Sequence, residues 1–158
     1  GIRVAVPPGI SFQKAAQVAR SKADWLREML ERATRVEEQA AAFISQPLVA
    51  QGQAKKMLTD RLMYLAACHG FQYNRVFIRN QRTRWGSCSS KNNINLNINL
   101  ARLPHTLLDY VILHELVHTR IKNHSAAFWK ELGKYLDDPK KVDKELDQYW
   151  PLLSADLP

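Results

Sequence analysis

At 158 residues, 46% of them hydrophobic, the chain can bury one real core. No stretch approaches the run of about 18 apolar residues that a membrane-spanning helix needs, and no signal peptide is visible, so we expect a cytoplasmic protein that does not enter a membrane. The two cysteines, Cys68 and Cys88, lack metal-pair spacing and suit a reducing compartment as free thiols, which excludes a disulfide scaffold; the formal charge of +8 points to an acidic partner or a solvated basic surface.

In chain order, Ile2-Arg-Val-Ala-Val6 reads as a strand closed by a Pro7-Pro8-Gly9 turn. Ser11 caps a first helix through Ala19. Trp25, Leu26, Met29, Leu30, Ala33, Val36 and Ala40 recur at three and four, an amphipathic helix with Arg27, Glu28 and Glu31 on its wet side. We take 1–158 as one domain, with a helical lobe over 1–46 and the core over 47–158. Pro47 opens a core helix marked by Leu48, Met57, Leu58, Leu62 and Leu65, which Gly70 ends.

From Phe71 the period changes to two: Tyr73, Arg75 and Phe77, then Arg82 and Arg84, read as strands around a turn at Asn80. After a turn at Ser89-Ser-Lys-Asn92, the segment 93–100 alternates strictly, with Ile94, Leu96, Ile98 and Leu100 on one face and four asparagines on the other. The amide face suits either a half-exposed sheet or an edge that holds an extended substrate. Between Arg61 and Leu108 there are seven Lys or Arg and no Asp or Glu, so most of the excess charge lies here. It is either solvated surface or a positive cleft for acidic peptides or nucleic acid.

Pro104 then starts the helix on which the chemistry rests. His114 and His118 are four apart, one turn up the same face, and Glu115 between them completes H-E-x-x-H. Paired imidazoles at this spacing reach one cation, and the glutamate beside them can hold a water without being a ligand. A tetrahedral catalytic zinc needs a third protein donor and an open corner. His124, past the point where Lys122-Asn123 ends the helix, is that candidate. Ser125 caps a helix with Phe128, Trp129 and Leu132 inward, and Asp138-Pro139 opens a last one with Val142, Leu146 and Trp150 inward. Glu131 and Asp143 are candidate carboxylate partners for the histidines. Arg84 and Asn123 are candidate electrophiles for a developing oxyanion.

Arg84-Trp-Gly-Ser-Cys-Ser-Ser-Lys91, Asn93-Ile-Asn-Leu-Asn97, His114-Glu-Leu-Val-His118, and Asn123-His-Ser125 with Phe128-Trp129 together resemble the YgjP-like metal-dependent hydrolases, zincin-type metallopeptidases more distantly similar to SprT-like and WLM proteases. The resemblance implies an α+β fold: a small antiparallel sheet of about three strands on the H-E-x-x-H helix, flanked by N- and C-terminal helices. It places the metal ligands on His114, His118 and His124 and the general base on Glu115. It also reads residues 2–6 as the last strand of an N-terminal piece whose earlier strands precede it.

The expected function is therefore zinc-dependent hydrolysis of peptide bonds in a protein or peptide substrate. The alternative is a zinc-stabilised basic module that binds nucleic acid through 61–108 without catalysis. Glu115 argues for the enzyme, because a purely structural zinc has no use for that carboxylate and closes with a fourth ligand.

Overall fold

The computed structural model describes residues 9, 11–25, 27–31, 34–35, 38, 51–150 and 153. The chain divides into two units, Gly1–Gln39 and Ala40–Pro158. In the first, α1 spans Phe12–Ser21, and Ser11 Oγ accepts the Lys14 N–H at 3.3 Å, the cap read from the sequence. The strand expected over 2–6 and much of the helix expected over 25–40 lie outside the described residues.

The second unit opens with α2, Gln51–His69, which buries Ala54, Leu58, Leu62, Leu65 and Ala66 at helical spacing. Gly70 ends it at φ +64°, a left-handed conformation that costs any residue with a Cβ. Three short strands follow: β1 Val76–Arg79, β2 Gly86–Cys88 and β3 Ile94–Asn97.

Their order is β1-β3-β2, with β3 antiparallel to β2 and parallel to β1. The sheet is thus mixed, where the sequence led us to expect an antiparallel one. Alternation tells which face a side chain takes but not which strands are neighbours. Here the Ser89–Asn92 turn folds β3 back on β2, and β3's other edge takes up β1.

The strand expected over 93–100 stops at Asn97, and residues Ile98–Arg102 form a 3-10 helix. Asn97, expected on a half-exposed face, is fully buried. Its Oδ1 accepts the Asn99 N–H at 3.1 Å and caps that helix, while Nδ2 donates to the carbonyls of Gln81 (2.6 Å) and Arg84 (3.0 Å). Asn95 donates to Ser87 Oγ at 3.2 Å. These amides are spent inside the protein, and they organise the loop between β1 and β2.

α3, His105–Val117, is apolar nearly all round, as a helix at the centre of a core must be. Leu107, Ile112, Leu116 and Val117 are fully buried on it. Truncating one of these leucines to alanine costs about 2–5 kcal/mol. α4 (Ala126–Leu132) and α5 (Pro139–Leu146) pack against it. Asp138 caps α5, its side chain accepting from the Lys141 N–H at 3.3 Å. Trp150, expected inward, is 48% exposed, because the chain tightens into a 3-10 turn over Asp147–Tyr149 and turns Tyr149 inward instead. Among the described residues, no helix is long and apolar enough to cross a membrane.

Candidate metal centre

α3 ends where its chemistry is. His114 lies in its last turn and His118 caps it, the His118 N–H donating to the His114 carbonyl at 3.2 Å. The backbone then turns on itself, with the N–H groups of Thr119, Arg120 and Ile121 donating to Leu116 and Val117 carbonyls. This brings His124 back over the helix end. The three Nε2 atoms lie 2.9 Å (114–124), 3.2 Å (114–118) and 3.2 Å (118–124) apart. An ion about 2.0–2.1 Å from each nitrogen of a tetrahedral site calls for separations slightly above 3 Å. Among the described residues this is the one cluster of His, Cys, Asp or Glu able to share an ion.

The protons decide what the cluster can hold. His118 Nδ1–H donates to the Ile121 carbonyl at 2.9 Å, so its Nε2 carries a lone pair. The Tyr110 hydroxyl gives its proton to Asp143 Oδ1 at 2.7 Å and accepts from His114 Nδ1–H at 3.3 Å, so the His114 Nε2 is bare as well. Two lone pairs 3.2 Å apart cannot bond to each other. A cation between them satisfies both.

The two helix rings, His114 and His118, are also held neutral, the form that binds metal. Burial, with the neighbouring His118 and His124, pushes His114 down to about 3. Burial lowers His118 too, against the pull of its bond to the Ile121 carbonyl. Phe128, fully buried on α4, lies under all three imidazoles at ring-centre distances of 4.6–4.8 Å and stacks on His118.

Two networks hold the loop that carries His124. Arg120 donates to Glu131 Oε1 (2.9 Å), the Tyr135 hydroxyl (3.0 Å) and the Gly70 carbonyl (2.8 Å), with its guanidinium 4.0 Å above the Phe71 ring. Lys122 Nζ donates to the Ser89 carbonyl at 2.9 Å and to Asn92 Oδ1, tying the loop to the β2–β3 turn. Asn123 Oδ1 accepts the Ser125 N–H at 3.3 Å, which orients the amide at the start of the next helix.

The two carboxylates read as histidine partners separate. Asp143 reaches His114 only through Tyr110, whereas Glu131 serves Arg120, Lys134 and Tyr135. Lys134, then Tyr135 and Arg120, hold Glu131 down at about 2. Tyr110 was missed in the sequence, though its place four residues before His114 on the same helix face was the available signal.

Glu115 is 6% exposed and lies flat against β2. A Cβ on Gly86 would sit 2.7 Å from its Oε1 and 2.8 Å from its Cγ. Its Oε2 is buried without a hydrogen-bond partner. Burial pushes the carboxyl up to about 8, opposed by the charge of Arg84. The arrangement therefore offers three imidazoles on one centre, two of them held neutral, with an unsatisfied carboxyl oxygen on the adjoining residue of the helix.

Comparison with curated proteins gives no match. The fold is similar to two solved structures of metallopeptidase zymogens. Pyrococcus abyssi abylysin is 24% identical with a TM-score of 0.50, over 56% of this chain and 90% of that one. Methanocaldococcus jannaschii jannalysin is 24% identical with a TM-score of 0.51, over 58% and 94%. The YgjP-like metallopeptidase domain matches residues 47–149, which include every residue of the centre described above. The chain belongs to that family, the YgjP-like metal-dependent peptidases.

Proposed function

We propose that the protein is a cytoplasmic zinc peptidase in which His114, His118 and His124 hold the ion and Glu115 is the general base, with the catalytic core in residues 47–158. The observation that carries this reading is the meeting of three Nε2 atoms, two of them lone pairs by their other hydrogen bonds. Three imidazoles and no thiolate suit zinc among the common divalent ions, and three protein donors leave the fourth corner open. Zinc held there supplies Lewis acidity, polarising a peptide carbonyl and lowering the pKa of water from 15.7 to about 7.

The chain's own residues do the rest. Glu115 Oε2, buried and unpaired, accepts the proton of the attacking water and passes it to the departing amine. Burial alone would keep that carboxyl protonated. Arg84 and a cation on the histidines both favour the ionised form that a base requires.

The edge of β2 supports a peptide substrate. Trp85 accepts from the Asn97 N–H at 2.8 Å and Ser89 donates to the Asn93 carbonyl at 2.9 Å, so the odd-numbered residues pair with β3. The main-chain groups of Gly86 and Cys88 are left on the outer edge, beside Glu115. An extended peptide paired there is held through its backbone, with little demand on its side chains.

The test compares bound zinc and cleavage of casein or a quenched-fluorescence peptide in wild type and Glu115→Gln. The variant is expected to keep its zinc and lose activity by about 10²–10⁴-fold. Undiminished activity in a zinc-loaded variant would overturn the mechanism.

A further inference from the structure

The loop between β1 and β2 enters the site at Gly86, and the residue before Trp85 there is an arginine whose backbone is clamped. Asn97 Nδ2 donates to the Arg84 carbonyl at 3.0 Å and to the Gln81 carbonyl at 2.6 Å. The next residue is fixed too: Trp85 is 4% exposed and its carbonyl accepts the Asn97 N–H. The Arg84 side chain, by contrast, is exposed. It lies two residues before Gly86, where a Cβ would sit 2.7 Å from Glu115 Oε1, which puts it on the sheet side of the metal centre.

Nothing in the surrounding segment neutralises it. From Arg61 to Leu108 the chain holds no acid, and the carboxylates at its borders are engaged, Asp60 with Lys56 and Asp109 with Arg61. A strand paired along Gly86–Cys88 would carry its side chains past this cation on its clamped backbone.

We propose that Arg84 selects peptides bearing an Asp or Glu within a residue or two of the scissile bond, its guanidinium fork taking the substrate carboxylate. The inference rests on the peptidase reading above and names the substrate class for the same site. Arginine suits the task because its planar fork meets a carboxylate through two parallel N–H bonds and stays charged at any working pH. Immobilised main chain beneath it reduces the ordering cost of that contact.

The experiment uses the zinc-loaded 158-residue chain and matched quenched-fluorescence octapeptides, each with a single Glu, Gln or Lys at successive positions around the cleaved bond. At one or two positions the Glu peptide is expected to win in kcat/KM by about tenfold, the worth of one charge-assisted contact. That ratio should fall to about one in Arg84→Ala, invert in favour of Lys peptides in Arg84→Glu, and survive in part in Arg84→Lys. In the wild type it should also shrink between about 50 mM and about 0.5 M salt, a readout that needs no variant to fold. Equal rates for Glu and Gln peptides at every position, a ratio unchanged in Arg84→Ala, or a loss in kcat shared equally by both peptides with the ratio intact would each overturn the proposal.

Binding separates this inference from the reading beneath it. Anisotropy of fluorescein-labelled Glu and Gln peptides is measured on Glu115→Gln and on its Arg84→Ala double variant. Arg84-dependent preference for Glu without any turnover in the wild type supports the selectivity and sinks the peptidase. Turnover with no preference does the reverse.

Discussion

Gly86 takes part in the proposed catalysis without possessing a side chain. A methyl group there would come within 2.7 Å of Glu115 Oε1, closer than a Cβ can approach, so the carboxyl of the proposed base must move. Gly86→Ala is expected to leave bound zinc at the wild-type level and lower kcat on the order of 10²-fold, the cost of displacing a catalytic group by roughly an ångström. Measured metal content beside steady-state rates checks it, and unchanged rates would mean that Glu115 tolerates the shift. The four residues on which the proposal rests were legible because a one-turn spacing says where His114, Glu115 and His118 point, and a helix-ending Lys122-Asn123 says that His124 can return. Gly86 and Asn97 were not. Their roles depend on which side chain faces them across the fold, and neither periodicity nor residue type carries that information.

Elements, rather than residues, set the orientation of the first histidine. Tyr110 lies one turn before His114 on α3, and its hydroxyl spans from that ring to Asp143 on α5. Tyr110→Phe removes the acceptor for His114 Nδ1–H and leaves Asp143 without its donor. Zinc affinity is expected to fall about 10- to 100-fold, as for other groups behind a metal-bound histidine, and competition with a chromophoric chelator measures it. Asp143→Asn should give a smaller loss in the same assay, because the tyrosine oxygen remains. The helices were readable from apolar spacing and from caps such as Ser11 and Asp138. The sheet was readable only as strands: its mixed order depends on β3 slipping between β1 and β2, a choice made by long-range pairing.

At the scale of the whole second unit, two centres bind distant segments together, and they respond to different conditions. The centre at Glu131 gathers Arg120, Lys134 and Tyr135, and through Arg120 the end of α2. Because its folded pKa is depressed from 4.5 to about 2, Glu131 binds fewer protons folded than unfolded. Its contribution is complete above the unfolded value and drains away as pH falls from about 4.5 to about 2. Glu131→Gln should therefore melt lower than wild type at pH 7, with the gap narrowing below pH 4.5. A gap that stays constant with pH would show that the carboxylate's charge is not what matters. The other centre, on the zinc reading proposed above, is expected to answer to chelation. Removing zinc with EDTA should lower Tm and restoring it should recover Tm, since a ligand at about 1,000 times its Kd adds about 4 kcal/mol.

Lys122 adds a mechanical consequence. Its ammonium fastens the stretch bearing His124 to the turn that joins β2 and β3. A guest chain paired on the outer rim of β2, as the peptidase reading has it, is expected to stiffen that turn and, through Lys122, the loop of the third imidazole. Loaded protein should then bind such a guest more tightly than stripped protein does, and the guest in return should raise the affinity for the ion by the same factor, a two-way latch in which cargo and metal each guard the other.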